Sequence, residues 1–180
     1  MRFYASVLLL LMTLLITDAF AGGKQIDSLE ALLENDPGKD KRAALYYKLA
    51  LAWDGEDYTK SYNYCIKAFD LLEHIDDADL KAKVDRLFSA LLIMQGRYND
   101  ALEHLLEALN ELNAEKPNMH YAAFLLNIGA IYDRLGKFSS ALDYYMQIEA
   151  YLDKHPTLLE HATYPSLITS LHNNMGNAYD

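Results

Sequence analysis

The chain has 180 residues and a formal net charge of −10, with 26 Asp and Glu against 16 Lys and Arg. Hydrophobic residues make up 52%, which excludes intrinsic disorder, and the acidic balance excludes a nucleic-acid binder, which would carry a basic patch. The single cysteine, Cys65, excludes an internal disulfide.

The first residues, MRFYASVLLLLMTLLITDAFAGG, read as a secretory signal peptide. Arg2 gives the positive start, Val7 to Ile16 is an apolar run broken only by Thr13, and Ala19-Phe20-Ala21 gives a small-x-small cleavage pattern. The apolar run falls short of the roughly 20 residues that span a bilayer. An uncleaved anchor is the alternative. No cysteine stands directly after the run at the cleavage pattern, which argues against a bacterial lipoprotein anchor. Residues 1–21 are therefore set apart from the fold, and secretion across an inner membrane into a periplasm is the expected destination.

Residues 22–40 read as a short helix and linker. Ile26, Leu29, Leu32 and Leu33 fall at helical spacing, so 27–35 is expected to be amphipathic helix, and Asp36-Pro37-Gly38 breaks it. Beyond the break, helical patterns alternate with short turns. Helices are expected at 41–54, 58–75, 79–95, 98–114, 119–135, 138–154 and 165–179. Gly55, Gly96 and Gly136 mark the tight turns, and Pro117 and Pro156 lie in the longer connections. Proline is scarce, β-branched residues are few, and no segment alternates as a strand would. Short turns imply antiparallel neighbours.

The pattern repeats. Gly96 and Gly136 are 40 residues apart, and so are Tyr98 and Phe138, Ala101 and Ala141, and Leu102 and Leu142. Ser61 and Ala68 precede Ala101 and Ala108 by the same 40. Gly129-Ala130-Ile131-Tyr132 recurs as Gly176-Asn177-Ala178-Tyr179, 47 residues on. Self-similarity of helix pairs at a fixed period predicts an all-α fold, an α-solenoid of antiparallel helix pairs with about 3.5 repeats of roughly 40 residues.

These residues resemble the tetratricopeptide repeat (TPR) family over residues 41–180. The best copy is Leu125, Ile128-Gly129, Tyr132, Gly136, Phe138, Ala141 and Tyr145, with Ile148 at the final alanine position. The second copy is Phe88-Ser89, Leu92, Gly96, Tyr98, Ala101, Leu105 and Ala108. In the first, Leu49-Ala50 and Trp53 lead into Tyr58, Ser61, Cys65 and Ala68. The period exceeds the family's usual figure of about 34. Small residues at Ala50, Ser89, Gly129 and Gly176 on the first helices, and at Ser61, Ala101 and Ala141 on the second, are expected to let paired helices approach closely, with Ala141 facing Gly129. Met175 and Tyr179 would lack cover at the end of the last helix. That leads to the expectation of a chain that is a fragment or truncated product of a longer protein, with an exposed C-terminal stacking face able to take a second copy.

The sequence holds no phosphate-binding glycine loop, no nucleophile elbow and no zinc helix motif. The six histidines are scattered, without ligand spacing, and are expected at the surface or at caps. No cofactor, metal or catalytic residue is expected. Cys65 is expected to be a small buried residue.

The resemblance places the concave, partner-binding groove on the first helix of each unit. Lys83 and Arg86 share a helix face there, Asn127 shares another with Arg134 one turn beyond, and Asn173 and Asn177 share a third with Asn174 beside them. Tyr47 and Lys48 on the first unit complete the candidates. An asparagine amide both donates and accepts, so it can pair with the backbone of an extended peptide. Most of the 14 tyrosines are expected to pack, and a few to face the groove.

The order of elements is similar to the sensor regions of Bacteroidetes-type TPR-containing sensor histidine kinases or helix-turn-helix regulators. The resemblance implies a non-catalytic protein- or peptide-binding module in signal transduction. In such a protein the output, and any second membrane segment, would follow Asp180. The alternative is a periplasmic TPR scaffold or assembly factor without an output domain.

Overall fold

The computed structural model of the chain describes residues 23–179 in backbone and 23–176 in side chain. The expected signal segment 1–21 and Asp180 lie outside the described residues. Everything described is helix, turn or connection, with no strand among the described residues. The chain forms two compact units, the first ending at Asp77 and the second beginning at Ala78.

The first unit holds a helix over residues 23–34 (α1), α2 (Lys39–Trp53) and α3 (Tyr58–Leu72). Ile26 and Leu29 on α1 bury against Leu45 and Leu49 on α2. Asp57 caps α3, its carboxylate accepting from the Lys60 amide at 3.1 Å. The close approach of α2 and α3 is held at Ser61, whose buried hydroxyl donates to the Ala50 carbonyl at 2.8 Å. Ala50 lies in the last turn of α2, where carbonyls run out of helical donors, so the serine supplies one. Cys65 is fully buried in this interface.

The second unit holds α4 (Ala78–Met94), α5 (Tyr98–Glu111), α6 (Met119–Arg134), α7 (Phe138–Lys154) and α8 (Tyr164–Tyr179). Each helix packs on the next, and the alternate helices α4, α6 and α8 also touch. This is the α-solenoid arrangement, an inner row of first helices backed by second helices.

Its turns repeat in atomic detail. After α4, the Gly96 amide bonds the Ile93 carbonyl at 2.9 Å and the Arg97 amide bonds Leu92 at 3.0 Å. After α6, Gly136 bonds Asp133 at 2.9 Å and Lys137 bonds Tyr132 at 2.9 Å. These are Schellman caps, with the glycines at φ +71° and +70°, a region L side chains avoid.

Two helices stop short of their expected ends. α5 ends at Glu111 rather than 114, because the Asn113 side chain takes the Glu115 amide at 2.9 Å and turns the chain. α3 ends at Leu72 rather than 75. The connection after α7, expected to be a loop, contains a 3₁₀ turn at Pro156–Glu160 that buries Leu158.

His155 stands at a cap, as one of the two expectations had it, closing α7 and opening the 3₁₀ turn. It is buried there at 8% exposure, with its Nε2 3.1 Å from the Ala114 carbonyl. Beside it the Tyr151 hydroxyl donates to the Lys116 carbonyl and accepts from the Asn118 amide, both at 2.8 Å. Together they fasten the 112–118 connection to the end of α7.

The small-residue positions behave unequally. A Cβ on Gly129 would lie 2.3 Å from Cε1 of Tyr145, so the partner of Gly129 is that ring, not Ala141 as expected. The ring of Tyr145 crosses the groove left open by the missing Cβ. At Gly176 an added Cβ meets nothing within 4 Å, so this glycine serves no close approach among the described residues. Met175, expected to be uncovered, packs half-buried on the core around Tyr145, Ile148 and Leu171.

Candidate functional site

The inner row of the second unit lines a half-open cavity of about 140 Å³. α4 contributes Arg86, α6 contributes Asn127, and α8 with the residue before it contributes Thr163, Ser166 and Ser170. Met119, Ala123, Leu126 and Leu167 form an apolar floor. A fork of donors, a two-way amide and hydroxyls thus surround an apolar bed. That combination suits a segment with both backbone polar groups and a side chain to bury.

Arg86 is exposed and makes no ion pair or hydrogen bond among the described residues. The contrast with its neighbours on α4 is sharp. Lys83 pairs with Asp79 at 2.5 Å, and Asp79 also meets His120 of α6 at 2.9 Å. These partners, His120 first and Lys83 second, hold the Asp79 carboxyl below the usual carboxylate range. Lys81 pairs with Glu111 of α5 and lies 3.9 Å from the buried Asp85, which in turn meets His104 of α5 at 3.1 Å. Asp79, Lys81 and Asp85 bind α4 to its neighbours and Lys83 pairs within the helix, while Arg86 lines the cavity with a guanidinium that has no partner among the described residues.

Of the sequence candidates, the structure brings Arg86 and Asn127 into this cavity. Lys83 lies on the same helix, engaged by Asp79. Arg134 is exposed in the last turn of α6, and Asn173 is exposed on α8, and neither lines the cavity. Asn174 is half-buried between α7 and α8, where it approaches the Tyr145 hydroxyl. That hydroxyl is buried without a hydrogen bond of full geometry. Burial, and then the charge of Asp133, push its pKa up to about 12, with Asn174 acting in the opposite direction. The side chain of Asn177 lies outside the described residues. Tyr47 and Lys48 belong to the first unit, Tyr47 half-buried and Lys48 exposed on α2.

The sequence did not single out Thr163, Ser166 and Ser170. The spacing of Ser166 and Ser170, one turn apart, was available as a signal. The repeat signal of α8 lies at Gly176 in its second half, away from these first turns.

Among the described residues, no group of three or more His, Cys, Asp or Glu side chains is placed to hold a metal ion. No described helix is long and apolar enough to cross a membrane.

No protein-family profile matches the chain, and no curated protein matches it in sequence. Solved structures do resemble it. The apo form of RapI superposes with a TM-score of 0.65 at 20% identity, covering 83% of this chain and 54% of RapI. BtubC (BKLC) from P. vanneervenii gives 0.63 at 22%, covering 88% and 63%. MamA gives 0.52 at 18%, covering 86% and 84%. The chain thus spans little more than half of RapI and under two thirds of BtubC. At these identities the likeness concerns the fold alone, and the fold is a TPR-like all-α helical repeat.

Proposed function

We infer that the chain is a non-catalytic, protein-binding helical-repeat module that holds an extended segment across the inner row of its second unit. The observation that carries this reading is the cavity between α4, α6 and α8, where the free Arg86 guanidinium and the Asn127 amide face an apolar floor. The amide pairs with a peptide backbone, the floor accepts one apolar side chain, and Arg86 engages an acidic group on the segment.

The wider setting is the sensor part of a secreted or periplasmic bacterial regulator. It is supported by the apolar leader with its small-x-small pattern, and by the similarity of layout described above. A scaffold without output shares the same groove and differs only in what the parent protein contains.

Binding is tested with an array of fluorescent peptides, each made with and without an acidic residue. The reading expects binders among the acidic set whose affinity falls at least tenfold with Arg86→Ala and with Asn127→Ala. Unchanged affinity in both variants overturns it. Location is tested by fusing residues 1–40 to a phosphatase that is active only outside the cytoplasm; an inactive fusion rejects the secreted setting.

A further inference from the structure

A second surface lies in the first unit and shares no residue with the cavity above. α1 and α2 diverge at the Asp36-Pro37-Gly38 break, leaving an open groove of about 250 Å³. Its walls are apolar, with Leu32 and Pro37 on one side and Ala44 and Leu45 of α2 on the other. Leu32 is 49% exposed, leaving apolar area in the groove that an occupant would bury.

Two lysines, Lys41 and Lys48, rim the groove. They are seven residues apart on one face of α2, about 10 Å along the axis. Both are exposed, and neither makes an ion pair or hydrogen bond among the described residues. This is unusual in so acidic a chain. The neighbouring Arg42 pairs with Asp36, so a cation on this turn can find a local partner.

We propose that this groove docks an acidic amphipathic helix of a partner protein, with an apolar side chain in the trough and carboxylates on Lys41 and Lys48. A helix presents one apolar stripe flanked by acids at the same seven-residue spacing, which matches the two lysines and the floor between them. The charge distribution argues against a lipid surface as the occupant. Polybasic membrane sites use about four to eight cations on one face. Here two lysines sit on a chain of net charge −10, which an anionic bilayer would repel.

The probe is a fluorescein-labelled helical peptide with Glu at two positions seven apart and Leu at the third and fourth positions between them. Its controls are the same peptide with Gln for Glu, the same peptide with Lys for Glu, and phosphatidylglycerol vesicles. The full chain is expected to bind the Glu peptide at least tenfold more tightly than the Gln peptide, and to weaken as salt rises. The double variant K41E/K48E should lose that preference and gain affinity for the Lys peptide. Ala44→Phe, which fills the trough and leaves both lysines in place, should weaken binding as well. Circular dichroism and melting temperature confirm that each variant is folded. The proposal is overturned if the Glu and Gln peptides bind alike, if none binds, if K41E/K48E or Ala44→Phe binds as the parent does, or if only the vesicles bind. Arg86→Ala is measured with the same Glu peptide. Unchanged binding there, with loss in K41E/K48E and Ala44→Phe, assigns the peptide to the first unit. Loss with Arg86→Ala alone overturns the proposal, so its failure is distinguishable from failure of the second-unit reading.

Discussion

Gly129 on α6 and Tyr145 on α7 occupy one space: the tyrosine ring lies where a Cβ on residue 129 would be, 2.3 Å from Cε1. The ring is fully buried and cannot swing outward. Gly129→Ala is therefore expected to lose about 1–3 kcal/mol despite alanine's better helix propensity. Chemical denaturation measures it, and the double variant with Tyr145→Leu should lose less than the sum of the two single changes. The matching glycine of α8 gives the control. Gly176→Ala meets open space and is expected to gain up to about 1 kcal/mol.

In the first unit the corresponding close approach is a hydrogen bond. Ser61→Ala removes the donor to the Ala50 carbonyl and is expected to cost about 1 kcal/mol. Ser61→Val should cost more, since it adds volume at a fully buried contact between α2 and α3. Urea unfolding curves of the three proteins separate the two effects.

Tyr151 fastens a connection rather than a helix pair. Tyr151→Phe leaves the ring against Tyr121 but strips the Asn118 amide and Lys116 carbonyl of their partner. The expected loss is about 1–3 kcal/mol, with the greatest change in hydrogen-exchange protection at the Asn118 amide. Uniform loss of protection across the second unit would contradict this local role.

Two titrations carry opposite signs. The Tyr145 phenol is raised to about 12, so folding favours its neutral form. That contribution is complete below the unfolded value of about 10 and disappears as pH rises through the folded value. Burial raises Tyr64, Tyr144 and Tyr151 as well, so phenolate absorbance should show several late-titrating tyrosines, and Tyr145→Phe should remove one of them.

Asp79 is the reverse case. Its lowered carboxyl contributes stability above the unfolded value of about 3.9, lost as pH falls through the lower folded one. The side chain is 64% exposed, so solvent screens the effect and the energy is small. Carbon-detected NMR should show the Asp79 pKa rising with His120→Ala, and rising less with Lys83→Met.

The apolar period of 3.6 residues, the turn glycines at 55, 96 and 136, and the recurrence of Tyr98 and Phe138 at a spacing of 40 were enough to place every helix from α2 onward within a few residues. These are local properties. A glycine at positive φ and an apolar stripe act within one turn of the chain, so they can be read without knowing what packs against what. The same locality explains the misses at 75 and 114, because helix ends depend on single capping bonds such as that of Asn113.

The site was legible only in part. Arg86 and Asn127 stand on first helices, which the repeat made visible, but they share a cavity with Ser166 and Ser170 across 39 to 84 residues of chain. Which cation stays free is partly a local result: Asp79 stands one turn before Lys83 on α4 and engages it, whereas no acidic residue stands three or four places from Arg86. That His120 of α6 shares the same Asp79 carboxylate is the tertiary part. The sequence by itself determined the helices, their turns and their repetition, because short-range sterics and periodic burial decide them. The tertiary structure alone decided that Gly129 faces Tyr145, that His155 is buried and that Arg86 opens onto a cavity. Each of those depends on where a side chain from a distant helix comes to rest.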